Sequence, residues 1–373
     1  MFLSEILLVN FRNYSNLKLN FDKNINIFIG NNAQGKTNIL ESIYFLSITK
    51  SHRTNKELFL IKNDEIFSKV TGKINDDVNL SKKYEIIINK LGKRVSINDN
   101  VVKKISDYLS NINVIMFCPD DLEIIKGPPA NRRSFLNIEI GQLNNNYLNH
   151  LNNYNKILKN RNEYLKNNKD KFDNVYFDIL TDQLITENIE IIKYRNDYIS
   201  KLNSYISKIY KDLTGKENIY LKYDTFIDIS SDENMRNSIK EKYEKNFNNE
   251  LFQGVTLYGT HKDDFSVYLD DVKINNYGSQ GQHRIAILCI RLSEVEIFKK
   301  EKNKNPILLL DDIFSELDEE KKNNIIKYID NDLQVFITST DIENINKKLL
   351  ENSDIFYVEK GQVVRKEDVY GRK

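Results

Sequence analysis

The chain has 373 residues, which is enough for two domains or for one domain with a large insertion. Charged residues make up 29% of the chain but cancel to a formal +1, so bulk charge indicates neither a nucleic-acid partner nor a membrane surface. Cys118 and Cys289 form no C-x-x-C pair, which excludes a zinc or disulfide framework built on paired cysteines. No apolar run is long enough to cross a bilayer and the N-terminus lacks signal-peptide features, so we expect a cytoplasmic protein.

Two strands are predicted at the N-terminus, because Phe2 to Val9 is strongly apolar and Leu17 to Phe21 alternates with period two. Between them lies the polar and aromatic turn Asn10 to Tyr14. If both strands share a sheet with the segment that follows, Arg12 and Asn13 lie near that segment and could contact a nucleotide. An ordinary loop explains the two residues equally well.

The next segment has the phosphate-binding pattern Gly-x-x-x-x-Gly-Lys-Thr between an apolar strand and a helical run. Its two glycines let the main chain wrap closely around a polyphosphate, so that N–H groups and the positive helix end face the anion. Lys36 is expected to reach the β- and γ-phosphates as a catalytic cation, and the Thr37 hydroxyl to hold Mg²⁺. The residues predicted to bind nucleotide here are Gly30, Asn31, Asn32, Ala33, Gln34, Gly35, Lys36 and Thr37.

A compact basic segment, Thr49 to Thr54, follows the P-loop helix. Arg53 could pair with phosphate, or the cations could simply suit the C-terminal end of a helix dipole. Strand patterns at Tyr84 to Ile88 and Val95 to Ile97 then predict an antiparallel sheet beside the nucleotide core.

A cluster of prolines marks a domain boundary after the short apolar strand Val114 to Phe117. Beyond it, apolar residues recur at spacings of three and four from Tyr147 to Leu213, with a candidate hairpin turn at Asn167 to Asp170. The first arm of this hairpin, at ~30 residues, would be about 45 Å long. These stripes are interpreted as helix–helix core packing and imply no cofactor.

Strand character returns at Gly254 to Tyr258, followed by a predicted hairpin from Phe265 to Ile274. The segment Leu221 to Asn249, which precedes them, is expected to be a polar and helical connection. The chain is therefore predicted to re-enter the sheet domain near residue 254.

A Ser-Gln-Gly-Gln turn, Ser279 to Gln282, opens the next helical run. Taken alone it is best read as an N-cap, although its hydroxyl and N–H groups could also hold an anion. The apolar strand Pro306 to Leu310 then ends in two acids, which is the Walker B pattern. Asp311 is predicted to hold the Mg²⁺ that Thr37 contacts, and Asp312 to polarise the attacking water as a catalytic residue.

Another strand, Gln334 to Thr338, follows the acidic turn Phe314 to Asp318 and a polar helix. Such βαβ alternation predicts a parallel sheet with its ligands at the carboxyl ends of the strands.

The P-loop, the Ser-Gln-Gly-Gln turn, the Leu-Leu-Leu-Asp-Asp strand and the Ser-Glu-Leu-Asp turn occur in the order typical of ABC-type ATPases, which the chain resembles. The helical interruption narrows the resemblance to the branch that contains SMC and Rad50, and within it to the RecF family of bacterial recombination mediators. The matching segments are Asn10 to Tyr14, Ser51 to Thr54, Pro119 to Leu122, Lys126 to Pro128, Arg132 to Leu136 and Gly278 to Gln282.

The resemblance implies an α/β fold: an ABC-ATPase-type P-loop domain with an antiparallel β subdomain, interrupted by a helical arm. We expect the head in residues 1–118 and 254–373 and the arm in residues 119–253. ATP and Mg²⁺ are the implied cofactors.

The resemblance also implies an ATP-dependent homodimer, in which two head-to-tail chains enclose two nucleotides. The residues implied to bind the nucleotide of the other chain are Ser279, Gln280, Gly281 and Gln282, with Asp318 of the D-loop.

The family's biology implies binding to duplex DNA and to junctions of single-stranded and duplex DNA, at gaps and stalled forks. Lys126, Arg132 and Arg133 are candidate DNA contacts, together with lysines of the arm. RecR and RecO are the implied protein partners, in helping to load recombinase, and the nucleoid is the implied location.

Three departures from the family pattern bear on activity. Asp312 stands where most ABC-type ATPases have a catalytic glutamate, and Thr338 to Thr340 lacks the switch histidine, so we expect slow, DNA-stimulated ATP hydrolysis. Lys262 replaces the usual arginine of a Pro-His-Arg motif, and its role is left open.

The alternative functions are a subunit of another SMC-like or transport assembly, a nuclease-bearing relative and a plain P-loop kinase. The helical insertion disfavours a transport subunit, and no further acidic metal ligands follow Asp318 for a nuclease. A kinase would have no use for the Ser-Gln-Gly-Gln turn.

Overall fold

The computed structural model describes residues 1–75, 80–167, 172–216, 218–314, 319–329, 332–345 and 347–366. The strands are β1 Phe2–Phe11, β2 Tyr14–Asn20, β3 Ile25–Ile29, β4 Phe67–Asn75, β5 Ser81–Asn89, β6 Gly92–Ile97, β7 Asn100–Val101, β8 Val114–Phe117, β9 Ile219–Asp224, β10 Asp264–Leu269, β11 Val272–Lys273, β12 Ile307–Asp311, β13 Val335–Ser339, β14 Ser353–Glu359 and β15 Gln362–Arg365. The α-helices are α1 Lys36–Ile48, α2 Ser106–Leu109, α3 Leu122–Lys126, α4 Pro129–Leu143, α5 Asn145–Asn167, α6 Asn174–Thr214, α7 Asp232–Gln253, α8 Ile274–Tyr277, α9 Gln280–Lys302, α10 Glu319–Ile326 and α11 Lys347–Glu351.

The chain divides into two compact units, which we call the head unit and the arm unit. The head unit comprises Met1–Leu122, Lys208–Glu217 and Arg284–Lys373. The arm unit comprises Glu123–Ser207 and Asn218–His283.

A mixed sheet forms the nucleotide-binding half of the head unit, with strand order β15-β14-β3-β13-β12-β8. All neighbouring pairs are parallel except β14 with β15, so the carboxyl ends of β3, β12 and β13 lie at one edge, as the βαβ pattern predicts. Strand β3 is almost wholly buried and lies between β13 and β14. Helix α1 is apolar on most of its surface and is buried along nearly its whole length, which is typical of a helix enclosed by a core.

The second sheet of the head unit is antiparallel, with strand order β2-β1-β4-β5-β6-β7. The β1–β2 connection contains Asn10 and Arg12 in left-handed backbone conformations, with φ of 53° and 54°. This sheet confirms the predicted antiparallel subdomain beside the nucleotide core.

In the arm unit, α5 and α6 form an antiparallel helical hairpin. Contacts between them run in opposite directions along the chain: His150 Nδ1 lies 2.7 Å from Glu187 Oε2, and Arg161 Nε donates to Thr181 Oγ1 at 3.1 Å. Helix α5 has 23 residues, or about 35 Å, and is shorter than the predicted arm. The predicted hairpin turn, Asn167 to Asp170, lies outside the described residues after Asn167.

Residues 254–283 group with the arm unit rather than with the head, where we expected them. The reason is a three-stranded antiparallel sheet of order β11-β10-β9, in which Phe265 faces Tyr223 and Leu269 faces Ile219. Strand β9 itself falls in a stretch that we expected to be helical from Leu221 onward.

The predicted strand Gly254 to Tyr258 is wrong, since these residues form no strand. Two of their main-chain N–H groups bond to side chains instead: Thr256 N donates to Asn162 Oδ1 at 2.7 Å, and Leu257 N donates to Glu250 Oε1 at 2.8 Å. The following hairpin is confirmed, with Asp270 and Asp271 at φ of 48° and 62° as its turn. Across the described ranges, no helix combines the length and the apolar character needed to cross a membrane.

Candidate nucleotide-binding site

The P-loop joins the end of β3 to the start of α1, and both of its glycines are sterically required. Gly35 has φ of +116°, and a Cβ there would lie 2.6 Å from both Asn13 Nδ2 and Tyr14 Oη. A Cβ on Gly30 would lie 2.2 Å from the carbonyl oxygen of Val358 in the neighbouring strand β14. The loop is therefore packed against the sheet on one side, while Asn31, Asn32 and Ala33 are exposed on the other.

Helix α1 begins at Lys36, and no side chain of the described residues caps its N-terminus. The first N–H groups of a helix have no partner within the helix, so this end offers donors and a positive dipole to an anion. The Lys36 ammonium lies over the loop, where it donates to the carbonyl oxygens of Gly30 and, at 2.9 Å, of Asn31. Burial lowers the pKa of Lys36, and the nearby carboxylates of Asp312 and Asp311 oppose that shift.

Thr37, Asp311 and Thr338 form a hydrogen-bonded chain at the carboxyl edge of the parallel sheet. Thr37 Oγ1 donates to Asp311 Oδ1 at 3.0 Å, and Thr338 Oγ1 donates to the same oxygen at 2.6 Å. Asp311 and Thr338 face each other in the β12–β13 register, and β13 in turn pairs with β3. The sheet thus brings the Walker B acid to the P-loop hydroxyl, as the sequence predicts.

The oxygens of Thr37 and Asp311 fit Mg²⁺. Two neighbouring ligands of an octahedral ion with bonds of about 2.1 Å lie about 3 Å apart, which matches the observed 3.0 Å between Thr37 Oγ1 and Asp311 Oδ1. Within the described ranges, no group of three or more His, Cys, Asp or Glu side chains is arranged to hold a metal. A site with two protein oxygens suits Mg²⁺ in nucleotide enzymes, where phosphate and water supply the remaining ligands.

Asp312, directly after β12, adopts a left-handed backbone conformation with φ of 52°. Its main-chain N–H donates to Thr338 Oγ1 at 2.9 Å, so Thr338 supports both acids. A cavity of about 50 Å³ lies beside Asp311 and Asp312 and is large enough to admit water. Burial raises the pKa of Asp311, while the hydrogen bonds from Thr338 and Thr37 act in the opposite direction.

Arg12 makes a two-pronged ion pair with Glu41 of α1, at 2.8 Å and 2.6 Å. Glu41 is fully buried and also accepts a hydrogen bond from Ser51 Oγ at 2.5 Å. Arg53 lies on the same cluster, with Nη1 2.9 Å from Asn38 Oδ1 and 3.5 Å from Glu41 Oε2. This cluster joins the polar turn after β1 to the basic segment after α1, and Glu41 is the shared partner of both arginines.

Asn13 and Gln34 hold the P-loop to its surroundings. Asn13 Oδ1 accepts from Asn38 Nδ2 at 2.8 Å, and Gln34 Oε1 accepts from the main-chain N–H of Lys360 at 2.6 Å. The Tyr14 hydroxyl donates to Gly35 O at 3.1 Å. Sequence reasoning missed Tyr14, Lys360, Glu41 and Thr338, since none belongs to a phosphate-binding pattern.

The Ser279–Gln282 turn lies in the arm unit and forms a capping box at the start of α9. Gln282 N donates to Ser279 Oγ at 3.2 Å, and Ser279 N donates to Gln282 Oε1 at 2.7 Å. All four residues are exposed, and a Cβ on Gly281 would meet no heavy atom of the described residues within 4 Å beyond the helix's own backbone. Asp318 of the predicted D-loop lies outside the described residues.

Of the three predicted DNA contacts, Lys126 is exposed and Arg133 is half-buried. Arg133 donates to Asp263 O at 2.9 Å. Arg132 is buried, with its guanidinium bonded to Asp264 at 2.5 and 2.9 Å and to Gly127 O at 2.8 Å. The structure argues against a DNA contact for Arg132, because its donors are already engaged inside the arm unit.

Comparison with known proteins identifies a family to which the whole chain is similar. The family model described as the RecF/RecN/SMC N terminal domain matches residues 2–364. The DNA replication and repair protein RecF of Listeria monocytogenes serotype 4b (strain CLIP80459) is 40% identical over 368 residues, which cover 97% of this chain and 99% of that protein.

Two solved structures extend the comparison. A structure of the recombination mediator protein RecF with ATP, in the RecFOR pathway, has a TM-score of 0.90 and 34% identity and covers 98% of this chain and 97% of its own. An Smc head bound to the C-winged helix domain of ScpA has a TM-score of 0.53 and 15% identity, covers 98% of this chain and 97% of its own, and shows the shared fold alone.

The fold and the P-loop site together define an ABC-type ATPase of the SMC class. Nearly full-length similarity makes the assignment more specific than the fold does. The chain belongs to the RecF family of DNA replication and repair proteins.

Proposed function

We propose that this protein is an ATP-switched DNA-binding protein of replication and recombinational repair. The observation that carries the proposal is the 3.0 Å contact between Thr37 Oγ1 and Asp311 Oδ1. It brings together two oxygens suited to Mg²⁺, beside a P-loop whose helix has no side-chain cap among the described residues. The RecF structure with bound ATP, at a TM-score of 0.90, supports ATP as the nucleotide.

In this proposal Lys36 exchanges the carbonyl oxygens of Gly30 and Asn31 for the β- and γ-phosphates of ATP. Thr37 and Asp311 hold Mg²⁺, which neutralises phosphate charge when it is bound. Asp312 orients the attacking water. Since aspartate is one carbon shorter than the catalytic glutamate of most ABC-type ATPases, hydrolysis is expected to be slow and to limit how long the bound state lasts.

The Ser279–Gln282 turn serves the second nucleotide site of a head-to-tail homodimer. Gly281 supports this role: beyond its chain neighbours and the helix's own backbone, no heavy atom of the described residues lies within 4 Å of a Cβ placed on it. Packing among those residues therefore does not explain the missing side chain. A glycine at an exposed helix start allows close approach of an anion to the main-chain N–H groups. Ser279 and Gly281 would meet the γ-phosphate held by the other chain, so ATP would favour the dimer through its higher affinity for it.

The ATP-bound dimer would then bind DNA through its phosphate backbone, with Lys126 and Arg133 among the contacts. RecO and RecR are the proposed protein partners, because the solved relative is a mediator of the RecFOR pathway. Gapped DNA and junctions of single-stranded with duplex DNA are the proposed targets.

The test is molecular mass by light scattering with ATP, with ADP and without nucleotide, for the wild type and for Ser279→Arg. We expect the wild type to be a dimer with ATP and a monomer in the other two conditions. Ser279→Arg should be a monomer in all three conditions while it still binds fluorescent ATP. Ser200→Arg, which makes the same change at an exposed position of α6, is the matched control and should dimerise normally. A wild type that stays monomeric with ATP would refute the homodimer and leave the turn as a helix cap.

A further inference from the structure

Buried polar contacts hold the loop Gly259 to Asp264 in the arm unit. Gly259 has φ of +147°, and a Cβ on it would lie 2.4 Å from Tyr154 Oη, so only glycine fits. Both main-chain polar groups of Thr260 are hydrogen-bonded: its N–H donates to Asn188 Oδ1 at 2.9 Å, and its carbonyl accepts from Arg195 Nη1 at 2.7 Å.

Each of the two acids in this loop is neutralised by a buried arginine. Asp263 is 3% exposed and accepts from Arg195 Nη1 at 3.2 Å, from Thr225 Oγ1 at 2.9 Å and from the Tyr223 hydroxyl. Asp264 receives the two-pronged pair from Arg132. The acids therefore fix the shape of the loop and leave little negative charge for it to present.

Lys262 is the exposed residue of this loop, between neighbours that point inward. Its main-chain N–H donates to Gly259 O at 2.9 Å, which closes a tight turn under it. No side chain or carbonyl of the described residues forms an ion pair or a hydrogen bond with its ammonium. Arg133, bonded to the carbonyl of Asp263, brings a second cation to the same loop.

Buried ion pairs contribute little net stability, since the desolvation of both charges offsets their attraction. Two buried ion pairs and a positive-φ glycine in one loop are instead typical of supporting contacts that hold a binding residue in one geometry. We infer that Lys262, with Arg133 beside it, is a preorganised contact for a phosphate group.

The phosphate could come from the backbone of DNA or from the nucleotide of a second chain, since both present the same chemistry to a lysine. The inference rests on the proposed function, because it assigns a new contact to that ATP-switched, DNA-binding state. Lysine suits this role as a point charge that contacts one phosphate without reading sequence.

The experiment measures the affinity for a fluorescein-labelled duplex oligonucleotide by fluorescence anisotropy across a range of NaCl concentrations. The loss of one phosphate contact in Lys262→Ala should weaken binding and reduce the slope of log affinity against log salt by about 1. Lys262→Arg should restore the slope. Lys90→Ala, which removes the same charge from the exposed β5–β6 turn, should leave the slope unchanged.

A second arm measures ATP-dependent dimerisation of the same variants by light scattering. Normal DNA binding by Lys262→Ala with a weakened ATP-dependent dimer would assign the phosphate to the nucleotide. A variant that matches the wild type in both assays overturns the inference while the proposed function stands. A wild type that neither binds DNA nor dimerises with ATP contradicts the proposed function itself.

Discussion

The Thr37 hydroxyl donates a hydrogen bond to Asp311 across 3.0 Å, although 273 residues separate the two in the chain. The order β3-β13-β12 makes this contact possible, because the P-loop and the Walker B acid lie at the same carboxyl edge of the parallel sheet, one strand apart. Thr338, from the strand between them, donates to the same carboxylate. The geometry of the proposed metal site is therefore set by the sheet and not by the loop alone.

Asp311→Asn should abolish binding of Mg²⁺ with ATP without lowering the stability of the nucleotide-free protein. Burial raises the pKa of Asp311, and a carboxyl with a raised pKa stabilises the fold below its unfolded pKa and loses that contribution as the pH rises through the folded value. Ionised Asp311 therefore opposes folding at neutral pH, while asparagine still accepts from Thr37 and Thr338. We expect the nucleotide-free variant to melt no lower than the wild type at neutral pH, and to lose the rise in melting temperature caused by Mg²⁺ with ATP.

Differential scanning fluorimetry checks this expectation. Any excess of the variant's melting temperature over that of the wild type should shrink as the pH falls through the folded pKa of Asp311, because the wild-type carboxyl then becomes protonated. A normal rise in melting temperature of Asp311→Asn with Mg²⁺ and ATP would contradict the assignment of Asp311 as a metal ligand.

Arg12→Ala should destabilise the head unit in a pH-dependent way. Burial acts to raise the pKa of Glu41, but the hydrogen bonds from Arg12 and Ser51 outweigh it, and the pKa is lowered. A carboxyl with a lowered pKa contributes stability above its unfolded pKa and loses it as the pH falls through the folded value. Removing Arg12 leaves Glu41 buried without its main partner, so we expect a loss of about 3 kcal/mol at neutral pH.

Urea unfolding at neutral pH and near pH 4 measures this loss, which should be smaller in acid because the unpaired Glu41 of the variant is then protonated. The double variant Arg12→Ala with Glu41→Gln should recover part of the loss. Equal losses at both pH values would show that the charge of Glu41 does not matter.

Gly30→Ala should lower the stability of the monomer, whereas Gly281→Ala should weaken the dimer, although each substitution adds one methyl group. The Cβ at Gly30 would lie 2.2 Å from a main-chain carbonyl of β14, which cannot turn aside, so we expect a loss of roughly 1–3 kcal/mol in unfolding free energy. A Cβ on Gly281 would meet nothing beyond its own helix in the described part of the chain, and Gly281 lies in the first turn of α9, so its replacement should not lower the stability of the monomer. Instead it should weaken the ATP-dependent dimer, as light scattering would detect.

His261 should remain neutral down to unusually low pH. Burial lowers its pKa to about 4, and its ring is held between Tyr154 Oη and the carbonyl of Thr256. A base with a lowered pKa contributes stability above its unfolded pKa and loses it as the pH falls through the folded value. We expect this one histidine to account for roughly 3 kcal/mol of lost stability between neutral pH and about pH 4.

NMR of the histidine ring protons measures this directly, with His261→Gln identifying the resonance. The same variant should show a shallower fall in unfolding free energy over that range. A resonance that titrates near the ordinary histidine value would refute the effect of burial on His261.

Local patterns were sufficient to predict the P-loop, the Walker B strand and the parallel arrangement of the head sheet. Each depends on residues next to one another in the chain, such as Gly30 to Thr37 or the acids that end β12. The hydrogen bond between Thr37 and Asp311 follows from that arrangement, because strand order fixes which carboxyl ends are neighbours.

Partnerships between distant segments were not predictable in the same way. Strand β9 alternates buried and exposed residues over only six positions between two helical segments, so its pairing with β10 was not evident from its own residues. That pairing places residues 254–283 in the arm unit and not in the head, where we expected them. Arg132 lies in a basic motif, yet its guanidinium forms an ion pair with Asp264, which is distant in the sequence. Charge in a sequence does not show whether a side chain faces solvent, and Glu41 and Thr338 carry no pattern that reveals their partners.

The central position of β3 has a consequence for synthesis on the ribosome. Its residues are among the first to emerge, but its two neighbours, Val335–Ser339 and Ser353–Glu359, are among the last. Until both have been made, the P-loop has no sheet to hold it, and the carbonyl of Val358 that packs on Gly30 does not yet exist. A chain released early, even one that lacks only the residues after β12, should therefore be unable to hold nucleotide.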